Sequence, residues 1–161
     1  MTQIIKSAPL TSAAFAPYGD VLDTSGSPDL VINQGSCDRF HDRAVLDFDA
    51  AGRAGISILN ARPVALPLTL EMVERHQNGS QAFIPMSGHR YLVVVAADNG
   101  GEPSEPRAFI AGPAQAINLH RNVWHGVLTP LDGASMFAVI DRIATSPNLQ
   151  EHWFETAYVV E

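Results

Sequence analysis

Turn-forming residues cut the second half of the chain at short intervals: Pro85-Met86-Ser87-Gly88, Asp98-Asn99-Gly100-Gly101, Gly112-Pro113 and Leu131-Asp132-Gly133. Glycine supplies positive φ, proline fixes φ, and Asn or Asp bonds its own backbone, so each cluster ends the segment before it. What lies between is short and apolar. Residues 81–84, 90–97, 107–111, 115–119, 124–128, 135–141 and 153–160 read as strands. In the first half, 4–10 reads as a strand and 11–16 as a short helix capped by Thr11 or Ser12. Residues 30–33, 39–41, 45–48, 56–60 and 64–70 continue the β pattern, with Pro67 marking an edge or bend. The pattern of 70–76 fits strand or helix, and its neighbours favour strand. Many short strands at close spacing predict an all-β protein. The expectation is an antiparallel barrel or jelly-roll sandwich with a short peripheral helix, in one domain over residues 1–161.

At 161 residues the chain can bury a substantial core without staples. A net charge of −7 disfavours nucleic acid as a partner. Nine arginines stand against a single lysine, Lys6, and guanidinium forks bind carboxylates in a bidentate way. Cys37 is the only cysteine, so no disulfide forms within the chain. The N-terminus lacks the layout of a secretory signal, and the longest apolar run, Tyr91 to Ala97, is too short to cross a bilayer. The expectation is a soluble cytoplasmic protein with no membrane partner.

Chemistry concentrates in two stretches. Asn118-Leu119-His120-Arg121-Asn122-Val123-Trp124-His125 carries two imidazoles, which exchange protons or bind metals near neutral pH. On a regular strand the odd spacing of His120 and His125 puts them on opposite faces, unless a turn through Asn122 relaxes it. The second stretch is Glu74-Arg75-His76-Gln77-Asn78-Gly79-Ser80-Gln81. A strand there turns Glu74 and His76 to one face. A tight turn at Asn78-Gly79 predicts a hairpin that returns Gln81 beside His76.

This second stretch, closed by Gly88, resembles the first motif of the cupin superfamily, H-x-H-x(3,4)-E-x(6)-G. Glu74 stands at the first His, His76 at the second and Gln81 at the Glu. The run His120 to His125 resembles the second motif, P-x-G-x-x-H, with His125 at the histidine and His120 and Asn122 replacing Pro and Gly. Longer stretches sharpen the likeness. Phe15-Ala16-Pro17-Tyr18-Gly19-Asp20-Val21, Glu74-Arg75-His76, Gln81-Ala82-Phe83-Ile84-Pro85, Arg107-Ala108-Phe109-Ile110, Trp124-His125 and Asp141-Arg142 together resemble the ureidoglycolate lyase family, in the right order from about Leu10 to Arg142.

The resemblance implies a cupin-like barrel that splits (S)-ureidoglycolate, an intermediate of allantoin degradation, into glyoxylate and urea. Its chemistry needs an acid and a base, for which His125, His120 and His76 are the candidates. The carboxylate needs an arginine: Arg107, Arg39 or Arg62, with Asn33 and Gln81 as further substrate contacts. His76, His125 and Glu74 form the candidate ligand set for a divalent metal (nickel, manganese, iron or zinc), against a metal-free site binding by hydrogen bonds alone. An amidohydrolase releasing ammonia and a non-catalytic cupin binding a small acid are the competing readings. By analogy with cupins, a homodimer is expected.

Overall fold

The computed structural model describes residues 3–161. In chain order its strands are β1 (Gln3–Ile5), β2 (Ala8–Pro9), β3 (Gly19–Leu22), β4 (Leu30–Ile32), β5 (Cys37–Arg39) and β6 (Arg53–Ala61). Then come β7 (Leu68–Arg75), β8 (Gln81–Pro85), β9 (Tyr91–Ala96), β10 (Asp98–Asn99), β11 (Glu102–Pro103) and β12 (Arg107–Ala111). The last are β13 (Ala116–Leu119), β14 (Trp124–His125), β15 (Thr129–Pro130), β16 (Ser135–Ile143) and β17 (Gln150–Val160). The peripheral helix is one turn, Ser12–Phe15, and the Thr11 side chain caps it by accepting from Ala14 N.

Two sheets form the body. The larger runs β1-β17-β7-β14-β9-β12-β2, with β15 also on β9; the smaller runs β3-β13-β8-β16-β6. Pairing is antiparallel except where β1 meets β17 and β2 meets β12. One core lies between the sheets: Phe83, Ile117 and Val139 from the smaller against Tyr91, Val93, Val95 and Phe109 from the larger. A second core, around Val73, Leu92, Val94 and Trp124, covers the outer side of the larger sheet. Strand β9 feeds both with alternate residues, which is why Tyr91–Ala96 is apolar and buried at every position. This is the all-β, two-sheet barrel the strand rhythm predicts.

The predicted strand 64–70 begins only at Leu68 and 4–10 is split at residues 6–7, and three further local expectations fail, each for a visible reason. Residues 39–41 and 45–48 form no strand beyond β5. Their loop lies across the outer side of the smaller sheet and is held by single bonds: Asn118 Nδ2 to Val45 O, Ser80 N to Asp47 O, and Asp49 N to Asn78 O. The predicted strand 124–128 breaks after His125, where Gly126 N donates to Val94 O, and pairing resumes at β15. There is also no hairpin at Asn78-Gly79. Strand β7 pairs with β17 and β14, whereas β8 pairs with β13 and β16. Residues 76–80 therefore cross from one sheet to the other, and Gln81 begins the opposite wall.

Candidate active site

Strands β7 and β14 bring the two chemical stretches together. His125 is directly opposite Glu74, and Glu74 and His76 share a face. One ligand atom from each of Glu74, His76 and His125 lies within 4.8 Å of the others. The two imidazole centres are 5.3 Å apart, and Glu74 Oε1 is 4.0 Å from His76 Nε2. His125 is buried at 3% exposure, while the Glu74 and His76 side chains keep 22% and 19%, so the site opens past those two. Below it, the space bounded by Phe83, Tyr91, Val93, Ile117 and His125 measures only about 20 Å³. That space is too small to hold a substrate-sized molecule.

The hydrogen bonds fix the tautomer of both rings. His76 Nδ1 lies 2.9 Å from Asn148 O, and His125 Nδ1 lies 3.0 Å from Gly126 O. A carbonyl only accepts, so each Nδ1 carries the proton and each Nε2 of a neutral ring is a bare lone pair. Both Nε2 atoms are buried and without a partner. Burial pushes the His125 pKa down to about 4, with the Gly126 carbonyl opposing and His76 reinforcing the shift. At neutral pH the ring is uncharged, so Nε2 offers a lone pair to a metal ion or a hydrogen-bond donor and donates nothing itself. The Glu74 carboxyl is shifted up, first by burial, with His76 opposing and Glu151 adding to it.

The facing wall comes from the smaller sheet. Alternation puts Gln81 on the same side of β8 as Phe83, and Asp141 on the same side of β16 as Val139, both toward the space between the sheets. Gln81 Nε2 donates to Asp141 Oδ2 at 3.3 Å. Gln81 Oε1 and Asp141 Oδ1 are buried and unpartnered, like the two Nε2 atoms. Among the described residues five buried side-chain polar atoms lack a partner, and four of them belong to this one end of the barrel. Folded proteins rarely leave such atoms unsatisfied except where a ligand completes them.

Each wall is braced from behind by a buried arginine. Arg75, between Glu74 and His76 but facing outward, packs 4.4 Å over the Trp124 ring and pairs with Asp98 at 2.5 Å. It also donates twice to Gln150 Oε1. Asp98 accepts from Trp124 Nε1 and Asn122 Nδ2 as well, so one carboxylate ties the β7 stretch to the β14 stretch. Asn122 takes positive φ (68°) and its N–H donates to His76 O. This is the turn that relaxes the odd histidine spacing. Behind the second wall Arg142, next to Asp141, forms a two-pronged pair with Asp49 (2.7 and 3.1 Å) and bonds Ser146. Gly52 and Gly79 let it lie flat: a Cβ on either would come within 2.5 or 2.7 Å of the Arg142 side chain. Asn148 closes the end, its backbone carbonyl holding His76 and its side chain holding Asn78 N.

The other sequence candidates are placed differently. His120 is a correction: it sits on the outer side of the smaller sheet, its Nε2 3.2 Å from Asp20. There it lines an open cleft of about 400 Å³ with Asp47 and Arg121, not the space that holds His125. Arg39 and Asn33 belong to the exposed β4–β5 arm and its turn, which pairs only with itself, and Arg62 is exposed beyond the end of β6. None of the three reaches the histidine pair's wall. Arg107 does. It is opposite Val95, which is opposite His125, so Glu74, His125, Val95 and Arg107 form one row across four strands on one face. Its guanidinium lies 5.4 Å over the Phe109 ring, exposed, and no ion pair engages it among the described residues. Sequence reading missed Asp141 as a site residue and Asn148 and Asp98 as braces. The signals for Asp141 are its place in the Asp141-Arg142 stretch of the family resemblance and alternation from Val139.

Two imidazole Nε2 atoms with backbone-fixed tautomers and one carboxylate suit a borderline divalent ion in donor type and number. Among the described residues no helix is long and apolar enough to cross a membrane. Comparison with known proteins gives a consistent result. The family model described as "Ureidoglycolate lyase" matches residues 2–161. "Ureidoglycolate lyase 2" of Rhizobium meliloti (strain 1021) is 51% identical over 154 residues, covering 95% of this chain and 94% of that one. "Ureidoglycolate lyase" of Rhodobacter capsulatus is 52% identical over 153 residues and covers 95% of each. Among solved structures, a 3,4-ketoisomerase from Helicobacter canadensis superposes with a TM-score of 0.45 at 14% identity, covering 82% of this chain and 89% of that one. A family match over nearly every residue, with the motif residues gathered at one end of the barrel, identifies the chain as a member of the ureidoglycolate lyase family.

Proposed function

We propose that this protein is a ureidoglycolate lyase, cleaving (S)-ureidoglycolate to glyoxylate and urea, and that Glu74, His76 and His125 are its reaction centre. The observation that carries the reading is the meeting of these three residues within 4.8 Å in a chain of this family. The C–N bond breaks while the carbinol carbon becomes a carbonyl. One proton leaves the carbinol oxygen and one reaches the departing ureido nitrogen, so the overall change is a proton moved from O to N. With no metal bound, Glu74, its carboxyl shifted up by burial, suits both halves of that transfer, as carboxylate toward the hydroxyl and as carboxyl toward the nitrogen. Arg107, unpaired and in the same row of the sheet, takes the substrate carboxylate.

His76 Nε2, His125 Nε2 and a Glu74 oxygen would hold a divalent metal, nickel, manganese, iron or zinc by donor type. Bound there, it would supply a Lewis acid for the developing alkoxide. The chain's own work is to keep both rings in the Nδ1–H tautomer with each Nε2 buried and unpartnered.

The test is to incubate the purified protein with fresh ureidoglycolate and measure urea and glyoxylate above the spontaneous rate, without urease, before and after treatment with a chelator. Urea and glyoxylate in equal amounts are expected, with activity lost on chelation and restored by one of the four metals. Ammonia in place of urea would establish an amidohydrolase, and no excess rate would leave a binding protein.

A further inference from the structure

The reaction centre above accounts for three kinds of group in the substrate: the carboxylate, the carbinol and the breaking bond. It leaves the far end, the –NH–CO–NH2 group, without a partner. On the facing wall two buried acceptor atoms are equally without one, Gln81 Oε1 and Asp141 Oδ1. We propose that Gln81 and Asp141 form the specificity element that receives the N–H groups of the substrate's ureido end. This inference rests on the lyase reading for the identity of the substrate but makes a separate claim about what the wall recognises.

Three features support it. First, the Gln81 amide is oriented: its Nε2 donates to Asp141 Oδ2, so Oε1 and Asp141 Oδ1 are the free edges of a joined pair. Both free edges only accept, and a ureido group offers N–H donors along one side. Second, the pair lies across the sandwich from the histidines. Phe83 and Val139, next in line on the same face, pack in one core with Val95, which is opposite His125. Strand alternation therefore turns Gln81 and Asp141 toward the space between the sheets, the same space that the His125 face of the larger sheet borders. Third, donor and acceptor types set the direction. The acceptor oxygens of Asp141 and Gln81 favour N–H dipoles over a carboxylate, while the free guanidinium of Arg107 lies on the other wall. Arg142 keeps Asp141 in place by pinning the adjacent position to Asp49 and Ser146, and it makes no bond to Asp141 itself.

The experiment compares binding of two non-reacting acids to the full chain by calorimetry. N-carbamoylglycine carries the carboxylate and the ureido group but no hydroxyl; glycolate carries the carboxylate and hydroxyl but no ureido group. Loss of a bond to a charged or buried acceptor corresponds to about tenfold or more in affinity. Asp141→Ala and Gln81→Met are each expected to raise the Kd for N-carbamoylglycine by that factor and to leave the Kd for glycolate within about twofold. Should Asp141→Ala fail to fold, judged by circular dichroism, Gln81→Met decides alone, since it keeps length and leaves no new unpaired donor. Equal weakening of both acids, or of neither, overturns the proposal. Failure of the wild type to release urea from ureidoglycolate overturns the lyase reading alone, and the two-acid comparison still decides the acceptor pair.

Discussion

His120 and His125 sit five residues apart in one short stretch and end in opposite environments. His125 is buried, stripped of water, and bonded only through Nδ1 to the next residue's carbonyl, so its Nε2 lone pair is aimed at Glu74 and His76. His120 lies outside the smaller sheet with its side chain 46% exposed and its Nε2 beside Asp20. What divides them is the left-handed turn at Asn122, which ends β13's neighbourhood and swings the chain into the larger sheet at Trp124. Residue type did not separate these histidines. Which sheet each one joined did.

The largest expected effect breaks the pair apart directly. His125→Ala should lower kcat/KM for ureidoglycolate by ~10²–10⁴-fold, whereas His120→Ala should stay within about threefold, its contact being that of a surface pair. Steady-state kinetics on the two variants decides whether the active site is the buried histidine's side of the turn.

Next in size is acid stability of the metal-free protein. His125 has a folded pKa of about 4 against 6.5 for a free imidazole. Because the native state binds fewer protons than the unfolded chain between those values, stability is present above pH 6.5 and is lost as pH falls toward 4. The loss attributable to this ring is on the order of 3 kcal/mol. It should appear as a falling urea midpoint between pH 7 and 5 in chelated wild type, shallower in His125→Gln and unchanged in His120→Gln.

The brace behind the buried histidine comes third. Arg75→Met removes the guanidinium from Trp124 and leaves Asp98 without its ion pair. With Asp98 partly open to water, the expected cost is about 2 kcal/mol, read as a shift in denaturant midpoint, with kcat falling more than KM rises. The smallest effect belongs to the turn itself. Asn122→Gly keeps the positive φ and should cost under about 1 kcal/mol, while Asn122→Val should cost more, since a β-branched residue resists that conformation.

Much of the barrel is legible in the chain. The Gly and Pro clusters place most strand ends, and the unbroken apolar run Tyr91–Ala96 marks the strand buried on both faces. The alternation of Glu74 and His76 and the likeness to two cupin motifs point to the two imidazoles that the fold brings together with Glu74. Failures cluster where contact is long-range. Arg39 and Asn33 looked suitable by residue type, yet their arm stands off both sheets. The Asn78-Gly79 dipeptide looks like a hairpin turn because local geometry permits one. It is a crossing instead, because Ser80 and Gly79 are claimed by Asp47 and Phe48 from a distant loop.

Period-two alternation, turn chemistry and residue type are local properties, and they alone determined that this chain makes strands and carries histidines able to hold a metal or a proton. Which faces meet is not local. The row Glu74–His125–Val95–Arg107 exists because β7, β14, β9 and β12 pair side by side, and the Gln81–Asp141 pair opposes it because residues 76–80 change sheets. Those choices were made by burial of two cores and by two arginines whose carboxylate partners, Asp98 and Asp49, are far away in sequence.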